Sequence, residues 1–133
     1  MSTNKIFLYE IINNNVCEIT LNNPDKRNPL SLKLITSLQR LLDDLKKNKK
    51  VKVILLKSTG KSFCSGHDLK EVRNFSSSKA KLLNLFKKCS KMMITLRELP
   101  QPVIACVDGL AAAAGCQLIA SCDLVIATKN STF

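Results

Sequence analysis

VIACVDGLAAAAGCQLIASCDLVIA, residues 103–127, is the stretch on which the fold turns. Its opening VIACV is a short apolar run of strand character, residues 115–121 read as a buried helix, and residues 123–127 return to strand. Strand, helix and strand in that order pair as parallel neighbours through a crossover connection. Pro100 and Pro102 stand just ahead and end the helix that precedes them. The same run is the one candidate for a membrane span, but Asp108, Gln117 and Asp123 interrupt it. A charge near mid-bilayer costs at least about 2.5 kcal/mol, so buried soluble structure is the better account and no membrane span is expected.

Working upstream, VKVILLK at 51–57 forms a second buried strand, which runs into the Gly- and Ser-rich loop STGKSFCSGHDL. Serines 76–78 precede a helix whose apolar stripe is Leu82, Leu85, Phe86, Cys89, Met92, Met93 and Leu96, a core-directed face. Ser31 caps another helix, whose apolar residues Leu34, Ile35, Leu38, Leu41, Leu42 and Leu45 share one side. At the start, the β-rich runs 5–12 and 16–21 are joined by Asn13, Asn14 and Asn15, which tolerate left-handed backbone and suit a hairpin. Strands and helices alternate throughout, which predicts an α/β fold with largely parallel strands. The sequence stops at Asn130, Ser131, Thr132 and Phe133, directly after a strand. The expectation is that more chain, or another subunit, covers that edge.

A chain of 133 residues suits one domain, with 45% hydrophobic and 23% charged residues arguing against disorder. Its net charge of +11 favours polyanionic partners such as nucleic acid, anionic lipid or phosphorylated cofactors. An aromatic content of 5% leaves a nucleic-acid module without stacking platforms, and a basic nucleic-acid-binding domain is a remote alternative. Lysines 46, 47, 49, 50 and 52 read as a solvated basic turn at a helix C-terminus. The six cysteines contain no CxxC pair and sit mostly in hydrophobic runs, so buried free thiols are expected and no metal site is. The start MSTNKIFLYE shows neither a signal peptide nor a transit peptide.

Two loops that follow buried strands, SFCSGHDL and DGLAAAAGCQ, suggest one composite site. Small residues let backbone approach a ligand, and two N–H groups converging on a carbonyl oxygen would form an oxyanion hole. The run AAAAG reads equally well as tight helix packing. His67, the sole histidine, is structural or acyl-facing rather than a general base. Asp68 and Asp123 cap helices or tie turns, and Cys64 and Cys116 are inert thiols because no His or cation is assigned to them.

LNNPDKRNPLS, GKSFCSGHDLKEV and DGLAAAAGCQLIASCD resemble, in order and spacing, the signature segments of the crotonase or enoyl-CoA hydratase superfamily. The resemblance covers the chain but only the N-terminal part of the usual domain. It implies a crotonase-like fold of repeated ββα superhelical turns, with residues 1–133 forming the first part of a single domain. It also implies an acyl-CoA thioester as ligand, no permanently bound cofactor, and a homo-oligomer, trimer or hexamer, in the full-length protein. The SGHDL and AAAAGCQ wording is similar to a mitochondrial member linked to fatty acid metabolism, so a mitochondrial location is implied, with cytoplasm as the alternative.

Residue by residue, the resemblance gives the oxyanion hole to the backbone N–H groups of His67 and Ala114, the helix beginning through Gly115. Lys26, Arg27, Asn28 and Leu30 would lie along the CoA nucleotide, and Ser65 and Gly66 would line the pantetheine path. At the position of a catalytic hydratase Glu stands Gln117, and the second hydratase Glu would fall beyond Phe133. An amide orients water but takes up no proton, so ordinary hydration is not expected of these residues. The alternative is a non-catalytic fragment or pseudoenzyme acting through CoA binding or subunit pairing.

Overall fold

The computed structural model describes residues 5–133. Strands β1 (Phe7–Ile12) and β2 (Val16–Leu21) form the antiparallel opening hairpin, with Asn13 and Asn14 in left-handed backbone at φ 49° and 61°. Helix α1 (Leu32–Lys47) follows, capped as expected by Ser31, whose hydroxyl accepts from the Leu34 N–H at 3.2 Å. All six residues of its predicted apolar face are buried. Next come β3 (Val53–Ser58), β4 (Ser62–Cys64), α2 (Leu69–Phe75) and α3 (Lys79–Arg97). The chain closes with β5 (Val103–Val107), β6 (Leu110–Ala111), α4 (Ala114–Ala120) and β7 (Leu124–Ala127).

The main sheet runs β1-β2-β3-β5-β7, and every pairing after the hairpin is parallel. The short strands β4 and β6 pair with each other in a second sheet. Successive turns of chain, β3-β4-α2 and then β5-β6-α4, thus repeat a ββα unit, the first strand adding to one sheet and the second to the other. That is the repeated ββα architecture that the crotonase resemblance implies.

Between main sheet and helices lies a core that includes Ile19, Leu21, Ile54 and Leu56 from strands, Leu38 and Leu42 from α1, and Leu85 and Met92 from α3. Burying each such side chain contributes about 1.5–3 kcal/mol, which holds α1 and α3 on the sheet more firmly than helix propensity would. Phe86 departs from its predicted core position. It is 41% exposed, because the inward side of α3 is set by Leu85, Cys89, Met92, Met93 and Leu96, and Phe86 lies off that line.

Strand β4 falls inside the stretch that reads as loop, and at the last residue of that stretch, Leu69, begins helix α2. Asp68 caps it, its carboxylate accepting from the Lys70 and Glu71 N–H groups at 3.0 and 3.3 Å. An Asp followed three residues later by Glu is a helix-start signature, and here it was the available signal. After β7, Thr132 forms a parallel bridge with Leu110 and so lies beside β6 of the second sheet. Strand β7 itself is exposed along its length, Leu124 and Ile126 being 60% and 64% accessible. Among the described residues no helix is long and apolar enough to cross a membrane.

Candidate active site

The loops after β4 and β6 meet. Gly66 sits at φ 92°, a backbone that L side chains rarely adopt, and a Cβ built on it would lie 3.1 Å from the Ala112 carbonyl oxygen and 3.3 Å from the Ala114 nitrogen. Glycine at 66 therefore lets one loop lie directly on the other. Just before α4, Ala113 adopts φ 50° and ψ −120°, a strained conformation for alanine. The surrounding bonds hold it: the Ala112 N–H donates to the Cys64 carbonyl at 3.0 Å, and the Gly115 N–H donates to the Ala112 carbonyl at 2.7 Å.

The consequence is a pair of neighbouring backbone donors. Among the described residues neither the His67 N–H nor the Ala114 N–H donates to a protein acceptor. Helix α4 has only seven residues, so any attraction for negative charge here comes from these local N–H groups and little from a macrodipole. Gly115 is buried and turned toward the Cys64 backbone, which makes it a packing residue of the loop pair.

Lys26, Ser65 and His67 do come together. With Pro29, Asp68, Leu69 and Lys70 they line an open groove of about 290 Å³. Arg27, in left-handed backbone, is exposed beside it and accepts through its carbonyl from the Ser65 N–H at 3.0 Å. The side chains of Asn28 and Leu30 are elsewhere. Asn28 is buried, donating through Nδ2 to the Thr59 and Ser62 carbonyls, both at 2.8 Å, while its Oδ1 accepts from the Asn23 N–H at 2.7 Å. Leu30 is fully buried in the core. Both side chains position the loop and present nothing to the groove, a distinction that loop composition does not reveal.

Gln117 is exposed on α4 and is absent from the groove lining. His67 packs its ring edge-to-face against Phe86, centroids 5.1 Å apart. Burial pushes its pKa down from 6.5, offset in part by the Leu30 backbone and the Glu71 carboxylate. Its Nδ1 is buried and has no hydrogen-bond partner. Glu71 is engaged as well, accepting from the Leu32 N–H at 2.7 Å. Among the described residues no carboxylate is hydrogen-bonded to the His67 ring.

Asp123 ties no turn: its carboxylate accepts from the Val103 N–H at 2.7 Å and so joins the start of β5 to the start of β7, twenty residues apart in the chain. All six cysteines are free, and burial drives the Cys64 thiol up to about 11, away from nucleophilic character. Cys116 donates its S–H to the Ala111 carbonyl at 3.0 Å.

A profile of the enoyl-CoA hydratase/isomerase family matches residues 11–133. The chain is 49% identical over 116 residues to the human enoyl-CoA hydratase domain-containing protein 3, mitochondrial, covering 86% of this chain and 38% of that protein. The Danio rerio protein of the same name is 45% identical over 115 residues, covering 86% and 39%. Among solved structures, an enoyl-CoA hydratase from Mycobacterium smegmatis superposes with a TM-score of 0.92 at 39% identity, over 96% of this chain and 49% of that one. The human domain-containing protein 3 superposes at 0.89 with 41% identity, again over 96% and 49%. The chain therefore spans half or less of the length of the relatives it matches.

Proposed function

Because the chain belongs to the enoyl-CoA hydratase/isomerase family and has its crotonase fold, we propose that it is an acyl-CoA thioester-binding protein of fatty acid metabolism that does not carry out ordinary enoyl-CoA hydration. The observation that carries this reading is that the His67 and Ala114 N–H groups donate to no protein acceptor while Gly66, the residue before His67, lies against the Ala114 nitrogen. Two such donors aimed at a thioester oxygen stabilise the negative charge that develops there when the acyl group forms an enolate or is attacked. In this reading Lys26 and Arg27 face the CoA phosphates, and Ser65 and Gly66 border the pantetheine arm. Acyl-CoA is ligand or substrate, and no permanently bound cofactor is invoked.

Gln117 supports the second half of the proposal. Its amide donates and accepts hydrogen bonds, but it cannot take a proton from water as a carboxylate base does. A mitochondrial location follows the names of the relatives. Self-association, as a trimer or hexamer in a full-length protein, is supported by the exposed apolar strand β7.

Calorimetric titration with octanoyl-CoA, with its thioether analogue S-octyl-CoA, and with free CoA tests the reading. The thioether keeps every atom of the ligand except the carbonyl oxygen. Two hydrogen bonds at about 1 kcal/mol each predict roughly ten- to thirty-fold tighter binding of the thioester. Equal affinities would remove the oxyanion role. In parallel, loss of the conjugated enoyl absorbance of crotonyl-CoA should stay at the background rate, and turnover at the rate of a true hydratase would refute the non-hydrating assignment.

A further inference from the structure

Helix α3 buries one side and leaves Leu83, Phe86 and Ile94 at 45%, 41% and 53% exposure. Positions 83, 86 and 94 fall along one stripe of the helix surface. Together with α1 they floor a groove of about 570 Å³. Its rim is positive: Lys46, Lys87 and Lys91 border it, while Arg40 and Lys88 meet Lys91 around an adjoining depression of about 150 Å³. Two carboxylates share the rim, which leaves five cations against two anions over the groove and its adjoining depression. Asp43 accepts from the Gln39 amide at 3.0 Å, and Glu98 lies 3.9 Å from the Lys46 ammonium.

We propose that the groove between α1 and α3 docks an acidic amphipathic helix of a partner protein, its apolar side resting on Leu83 and Ile94 and its carboxylates pairing with Lys87, Lys91 and Arg40. The shape favours this occupant. Leu83 to Ile94 spans about 16 Å along the helix axis, the length of three helical turns, so a partner helix of that length can lie along it. Charge favours it too. A second copy of a chain carrying +11 would set the same cations against each other, whereas an acidic helix complements them. The inference is independent of the acyl-CoA reading, since the contacts it uses, Leu83, Ile94, Lys87, Lys91 and Arg40, lie on α1 and α3, and Phe86, which packs on His67, is not one of them.

The test is fluorescence anisotropy of a labelled peptide with Leu at helical a/d spacing and Glu elsewhere, titrated with the purified protein. A twin peptide with Lys in place of every Glu, and phosphatidylglycerol vesicles, are run alongside. Micromolar binding of the Glu peptide is expected, with the Lys twin at least roughly ten-fold weaker. The exposed double variants L83S/I94S and K87E/K91E, which should melt like the parent by circular dichroism, are each expected to lose at least roughly ten-fold in affinity. Absence of binding by the Glu peptide, equal binding of the twin, or full binding by either variant would overturn the proposal. Tighter binding to the vesicles than to the peptide would also overturn it and assign the face to anionic lipid, and a concentration-dependent dimer mass lost in K87E/K91E would assign it to self-association.

Discussion

Gly115 of α4 and Cys64 of β4 touch backbone to backbone. A Cβ built on Gly115 would lie 3.0 Å from the Cys64 carbonyl carbon and 3.1 Å from its Cβ, and it would overlap the carbonyl oxygen. The Cys64 oxygen cannot retreat, because it accepts the Ala112 N–H. This contact sets the distance between the loop that carries His67 and the helix that begins at Ala114.

Substituting Gly115→Ala should therefore destabilise the protein, although alanine favours an exposed helix over glycine by about 0.5–1 kcal/mol. Overpacking against fixed backbone is expected to cost about 1–3 kcal/mol net. Urea unfolding midpoints measure it; an unchanged or raised midpoint would show that the two elements move apart freely.

Asn28 holds three hydrogen bonds at a buried, left-handed position with φ 51°. The change Asn28→Ala leaves two carbonyls and one N–H without their partner, at about 1 kcal/mol each, so a loss of about 3 kcal/mol is expected. The folded fraction should retain its affinity for acyl-CoA, because the Asn28 side chain does not face the groove. A large drop in affinity with little loss of stability would instead make Asn28 a ligand contact.

Stability should fall as the solution is acidified below pH 6.5. Burial lowers the His67 pKa from 6.5, so between that value and the folded one the unfolded chain binds the proton more readily. The stabilisation is complete above pH 6.5, is lost as pH falls through this window, and the loss levels off below the folded pKa. His67→Gln should flatten the dependence of the urea midpoint in that window. Parallel slopes for parent and variant would assign the acid loss to other groups.

Native alkylation should discriminate among the thiols. Burial raises Cys17 and Cys64 to about 11 and Cys122 to about 12, with Glu18 adding to the shift at Cys17 and Asp123 at Cys122. At about pH 8 these three hold little thiolate and should react slowly with iodoacetamide, reaching full labelling only after denaturation. Peptide mapping by mass spectrometry reads this directly. Rapid native labelling of Cys64 would reveal an activated thiol at the site.

Local pattern was enough to determine much of this protein. The period of Leu34 to Leu45 specified which side of α1 is buried, Ser31 and Ser78 specified where helices begin, and the three asparagines specified the hairpin. Alternation of strand and helix determined that the main sheet is parallel after β2, and the ordered segments around His67 and Gln117 pointed to the superfamily. These signals are legible because each depends on residues close together in the chain.

The tertiary structure alone decided the rest. Asn28 and Arg27 are neighbours in a polar turn, and nothing in that turn says that one side chain is buried against Thr59 and Ser62 while the other is exposed. The exposure of Phe86 is set by how α3 rolls onto the sheet, a choice made by the summed burial of Leu85, Cys89, Met92 and Met93. The contact of Gly66 with Ala112 and Ala114 depends on β4 and β6 lying side by side, although Cys64 and Leu110 stand 46 positions apart in the chain. Hydrogen bonds and close contacts between such distant segments form only once the sheet is assembled, and so they leave no periodic trace in the sequence.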